Sequence, residues 1–327
     1  MKTGVWKLII PAVLMIIFPF IGKEGYLTHL AITIGIFSVL ASSLNLLMGY
    51  AGLVSIAHGA FFGIGAYTSG ILVLRYGIPF WVALPLSAFF TALIAFGISI
   101  PSFRTKGIYY IIVTIAFQFI ASEVFEGWYK MTGGGLGLRG IPRPGPISLP
   151  LIGALSFQSK FGYYYLVLVF VLVVHFILWR IIKSPLGTSL MAIRDNETKA
   201  MMMGLNPLIY KIFVFVFISG LAGFAGSLYA HYLEFAHPDL FNFFISVDLY
   251  LMVVLGGAGT FFGPLFGVFI LEMIREFLHG FVAFRLFLFG LMLVLIIIFI
   301  PQGLLKALSD IGKRLILRGG CILNKLE

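Results

Sequence analysis

Along most of this chain the polar positions lie too far apart to mark either one face of a helix or an alternating strand. Long apolar runs follow one another, separated by short clusters of glycine, proline and charge. A membrane-crossing helix needs about 20 mostly apolar residues. Runs of that kind fall at 8–22, 27–49, 53–75, 80–100, 107–126, 161–180, 211–232, 243–258, 261–278 and 284–301. The pattern predicts an all-α integral membrane protein, a polytopic bundle of about ten (8–10) transmembrane helices. The lower figure allows for 8–22, short and carrying Pro11 and Pro19, and for the glycines of 256–263, which fit one broken or re-entrant element. A transmembrane barrel would instead show roughly 10-residue segments that alternate apolar with polar. The run Leu291–Ile300 reads LMLVLIIIFI and does not alternate.

Composition agrees. The chain is 61% hydrophobic and 10% charged, where a soluble domain carries about 25% charge. A single cysteine, Cys321, rules out an intrachain disulfide. The formal charge of +10 raises the question of nucleic acid. No basic run interleaves with aromatics as a nucleic-acid face would, and basic cytoplasmic loops are the ordinary source of such an excess in a membrane chain. With both termini cytoplasmic, 14 of the 22 Lys and Arg fall inside, so this orientation is expected. The outer loop 127–160 runs against it with Lys130, Arg139, Arg143 and Lys160. No A-x-A-like site follows the first apolar run, which reads as an uncleaved span rather than a secretory signal. The expected organisation is one transmembrane domain over 1–327: a membrane region at 8–301, a charged cytoplasmic loop at 181–210 and a basic tail at 302–327.

That loop is the sharpest contrast in the sequence. Arg194, Asp195, Asn196, Glu197 and Lys199 fall within six consecutive positions between two strongly apolar segments. Pro185 suits the first turn of a short helix with Leu186, Leu190 and Ile193 at helical spacing. Asp195 is expected to cap a second helix over 196–203 and to pair with Lys199 one turn on. Gly204 suits the left-handed residue after it, and Pro207 its stop. A solvated connector would explain the charges. It would not explain Met201, Met202 and Met203 beside them, since methionines adapt to a partner's groove; the loop is expected to dock.

Two glycine-rich regions stand out. Segments 44–67 and 249–270 each run from a Leu-Met stretch through a glycine cluster to Phe-Phe-Gly. Paired glycine-interrupted segments are what an internal transporter repeat leaves, although chance matching is a competitor in a chain with 38 Gly and 35 Phe. Around the first, Asn45, Ser55, His58, Gly59 and Gly63 combine polar and small side chains where lipid contact would be costly, and they are expected to border a translocation path. Gly220, Gly223 and Gly226 form a small-residue face suited equally to helix packing.

Catalytic chemistry is missing from the sequence. No phosphate-loop motif occurs, so any ATP must be bound by another subunit. No G-x-S-x-G appears, and His29, His58, His175, His231, His237 and His279 form no metal-like cluster; neither cofactor nor metal is expected. Asp248, Glu272 and Glu276 read as lying near span ends, which argues against a proton- or sodium-coupled carrier.

Five blocks then carry a resemblance: SLNLLMGYAGLVSIAHGAFFGIGAYTSG (43–70), TGGGLGLRGIPRP (132–144), SPLGTSLMAIRDNETKAMMMG (184–204), YKIFVFVFISGLAGFAGSLYAHY (210–232) and SVDLYLMVVLGGAGTFFGPLFG (246–267). In this order they resemble the permease subunits of ATP-binding-cassette importers for branched-chain amino acids, in their LivM-like half. The resemblance implies a second, related permease as partner in a heterodimer, two cytoplasmic ATPases, an extracytoplasmic amino-acid-binding protein, and a bacterial or archaeal cytoplasmic membrane. It also makes 184–204 the short coupling helices on which an ATPase docks, with Arg194, Asp195, Asn196, Glu197 and Gly204 as coupling residues. Leu136 stands where Asn is common in the family, and the methionines replace typical Ala and Glu. Urea- or amide-type permeases are close relatives and form the alternative on substrate; an ion-coupled secondary transporter is the alternative on class.

Overall fold

The computed structural model describes residues 25–105, 107–149 and 153–278, with two isolated helical positions, Gly290 and Val294. Apart from those two positions, the expected spans 8–22 and 284–301 and the tail 302–327 lie outside the described residues. The described part is a helical bundle. Its elements are α1 (Gly25–Asn45), α2 (His58–Tyr76), α3 (Phe80–Ser102), α4 (Ile108–Gly127), α5 (Lys160–Lys183), α6 (Pro185–Asp195), α7 (Glu197–Met202), α8 (Pro207–Leu233), α9 (Phe243–Gly256) and α10 (Gly263–Phe277). Among the described residues six stretches are long and apolar enough to cross a membrane. The sequence reading of an all-α membrane protein therefore stands.

Packing follows the small residues. α8 lies at the centre against α2 and α3, and its glycines are what let it in. A Cβ on Gly226 would strike the carbonyl of Phe62, and one on Gly65 would strike the backbone of Gly223. Close approach of this kind replaces the hydrophobic drive that is missing between helices in lipid. For 220–226 the packing reading is thus the observed one. Outward faces of α3, α4 and α5 carry Phe89, Leu93, Ile112, Phe119 and Phe176, all exposed, as lipid-facing surfaces do.

Edges differ from expectation where the backbone is interrupted. The span expected to begin at 53 begins as helix only at His58. Before it, the last turn of α1 widens into a π-turn, Leu46–Tyr50, and residues 51–57 are not helical. Pro207 does not stop a helix; it starts α8, capped by Asn206. The end of the bundle opposite the charged loop carries short strand pairs, Leu138–Arg139 with Phe235–Ala236 and Ile147–Leu149 with Gly153–Leu155. Four glycines of the 132–144 block, Gly133, Gly134, Gly137 and Gly140, take positive φ there, which only glycine adopts at little cost.

Candidate functional site

The charged loop folds as two short helices pressed onto one end of the bundle. Pro185 opens α6, and Leu190 and Ile193 are buried beneath it, so the apolar spacing does bind this helix to the bundle. The cap is one residue later than expected: Asn196, not Asp195, accepts the Lys199 amide hydrogen at 2.9 Å. Asp195 is the last residue of α6 and so is out of position to cap. Its carboxylate pairs with Arg194 at 2.9 Å instead of with Lys199. Glu197 pairs with Lys211 of α8 at 2.7 Å. Gly204 takes φ +85° after α7, the left-handed position that its place in the sequence called for.

Arg194, Asp195 and Glu197 are therefore paired within the chain, and the methionines face out. Met202 and Met203 are 82% and 81% exposed, and Met201 is 50% exposed. Together they present an adaptable apolar surface at the tip of a polar loop.

Beneath the loop lies a cavity of about 570 Å³. The interrupted segment Ala51–Val54 forms one wall, α6 and α7 from Ile193 to Glu197 a second, and Phe103, Thr105, Tyr110 and Ile111 a third. Three interactions stitch this region together. The Arg194 guanidinium donates to the Gly49 carbonyl at 2.7 Å. The Asn45 side chain accepts from the Gly259 amide at 2.8 Å and donates to the Thr260 carbonyl at 2.9 Å. Gly49 packs so tightly on Gly259 that any side chain there would strike its backbone. The two glycine-rich segments singled out in the sequence thus meet at their breaks.

The other expected path residues follow directly on the cavity wall. Ser55 is buried, and His58 is 1% exposed with Nε2 2.9 Å from the Ser43 hydroxyl. Gly59 donates its amide hydrogen to the Ser246 hydroxyl at 2.8 Å, and the neighbouring Ala60 amide donates to Gln118 Oε1 at 2.7 Å. Gly63 faces the rings of Phe125 and Phe241. Within one chain these positions are close-packed and hydrogen-bonded. Gln118 was missed in the sequence because a lone Gln in an apolar run carries no pattern; it caps the start of α2 from another helix.

Asp248 stands five residues into α9 and Glu272 five residues before the end of α10, both toward the open end of the hairpin. Both carboxylates pair with Arg275, Glu272 at 3.1 Å, inside the α9–α10 hairpin. His175 is held by Ser42 at 3.0 Å and His231 by Ser69 at 2.9 Å, each a packed, satisfied side chain. Among the described residues no group of His, Cys, Asp and Glu is arranged to hold a metal.

A family model described as the branched-chain amino acid transport system / permease component matches residues 26–300. The chain belongs to that family. The match takes in the helix breaks, the charged loop and the α9–α10 hairpin alike. The permease protein LivM of the high-affinity branched-chain amino acid transport system of Escherichia coli is 32% identical over 310 residues, covering 90% of this chain and 73% of its own. LivM of Salmonella typhimurium is 32% identical over 318 residues, with 91% and 75% covered. No solved structure matches the chain. Family membership makes the chain a multi-pass, non-catalytic transport permease, so the buried Asp248–Arg275–Glu272 cluster does not move it to the class of ion-coupled carriers.

Proposed function

We propose that this permease moves branched-chain amino acids inward as one membrane subunit of an ATP-binding-cassette importer. The observation that carries this reading is the α6–α7 pair: a rigidly held, two-helix projection with a bare methionine tip, at the mouth of a cavity that leads to a helix break. A device of that shape fits an energy-supplying subunit that docks from outside the membrane. The substrate class is supported by the family description and by the names of the two relatives. A urea- or amide-type substrate is the second reading, from the family resemblance in the sequence.

In this proposal the partners are a second, homologous permease forming a heterodimer, two cytoplasmic ATPases and an extracytoplasmic binding protein. The membrane is the cytoplasmic membrane of a bacterium or archaeon. Ten spans put both termini on the cytoplasmic side, the side of α6 and α7. Arg194, Asp195, Asn196, Glu197 and Gly204 shape the coupling loop. Asn45, Ser55, His58, Gly59 and Gly63 border the path, where the 51–57 break opens on the cavity.

The test is uptake by the complete transporter in proteoliposomes loaded with ATP. Labelled leucine, isoleucine or valine should accumulate only when all subunits are present, and the purified chain alone should turn over no ATP. Accumulation of urea but of none of the three amino acids would transfer the assignment to the second reading. Uphill uptake by this chain alone, driven by a proton or sodium gradient, would end the proposal.

A further inference from the structure

The sequence suggests Arg194 as a contact for the docked subunit, yet all three of its guanidinium nitrogens already donate within the chain. Nε and Nη2 are held by the Asp195 carboxylate at 3.0 and 2.9 Å, which fixes the plane of the fork. Nη1 is thereby aimed at the carbonyl of Gly49 at 2.7 Å. That carbonyl belongs to the π-turn Leu46–Tyr50. Gly49 lies in the last turn before the helix ends at Tyr50, where carbonyls have no partner within the helix, so its oxygen is open to a donor from another element.

The stem of the same side chain lies on Gly52. This residue has φ +72°, and a Cβ there would come within 2.6 Å of Arg194 Cγ. On the far side of the π-turn, Asn45 grips Gly259 and Thr260. One arginine therefore touches the break on both sides of its first residue, and the break is anchored behind. We infer that Arg194 is a positioning residue: it latches the coupling helices to the 46–57 break, so that displacement of α6 moves the break rather than slipping past it. Asp195 serves the latch by orienting the guanidinium. The docking itself is carried by Met201–Met203. The inference rests on the reading of α6 and α7 as the ATPase-docking element.

The experiment uses the complete transporter in proteoliposomes and reads two quantities, ATPase co-purification and amino acid taken up per ATP hydrolysed. With Arg194→Ala the ATPases should still co-purify, and uptake per ATP should fall about tenfold, the order expected for losing one hydrogen bond to a charged group. Gly52→Ala displaces the arginine stem from the other side and should give the same phenotype. The double variant should be no worse than either single one, because both cut one link. Unchanged uptake per ATP in Arg194→Ala overturns the latch, and so does loss of the ATPases, which would make Arg194 a docking contact. Met202→Asp with Met203→Asp tests the underlying reading separately: ATPases that stay bound to this variant refute docking at α6–α7, whatever Arg194 does.

Discussion

Among the described residues, glycine-rich sequence breaks the chain between α1 and α2 and again between α9 and α10, and the two breaks are packed differently. Between α9 and α10 the backbone closes on itself. A Cβ on Gly256 would meet the Gly263 carbonyl, and one on Gly267 would meet that of Met252. Thr260 donates its hydroxyl to the Gly257 carbonyl at 2.7 Å. Between α1 and α2 the corresponding stretch is longer, lines a cavity and touches the Arg194 side chain at Gly52. Positive φ occurs in both breaks, at Gly52 in one and at Gly257 and Gly259 in the other; what differs is that Gly256 and Gly267 close backbone on backbone within the α9–α10 hairpin, whereas Gly52 meets a side chain. The tight break suits an anchor, and the loose one suits a moving part tied to it through Asn45.

This contrast is most easily broken at Gly256. Alanine there must displace backbone, so Gly256→Ala should cost about 3 kcal/mol, the upper end for overpacking. The expected readout is a large drop in the melting temperature of the purified protein, or no folded monomer on size exclusion; an unchanged melting temperature would show that the hairpin yields. Asn45→Leu comes next. It removes both hydrogen bonds that tie the two breaks together and leaves the half-buried Gly259 amide and Thr260 carbonyl unpaired, at about 1–3 kcal/mol. Its melting temperature should fall measurably but by less than that of Gly256→Ala, and the reverse order would put the anchor at Asn45. The smallest effect is expected at Asn196, whose side chain caps α7. Asn196→Ala should cost about 1 kcal/mol, visible as faster hydrogen exchange confined to 197–203; exchange spreading into α1 would mean that α7 supports the break directly.

The membrane class was legible from the sequence because lipid demands long apolar runs regardless of tertiary detail. Helix starts at Pro185 and the left-handed turn at Gly204 were legible because their causes are local. What a residue touches across the bundle was not. Asp195 and Asn196 are both good caps by type, and only the length of α6 decides that Asn196 holds the position. The shared pairing of Asp248 and Glu272 was hidden because their cation, Arg275, is 27 residues from Asp248 in sequence. The seven-residue gap before His58 was hidden because Leu53–Ala57 is as apolar as a helix would be. The meeting of Asn45 with Gly259 left only an indirect trace, the likeness between segments 44–67 and 249–270.

The account turns on the loose break moving while the tight one holds. Amide hydrogen exchange of the assembled transporter, compared with and without bound ATP, tests this directly. Residues 51–57 should change their protection when ATP binds, and residues 257–262 should not. Equal changes at both breaks, or a change confined to 257–262, would contradict it.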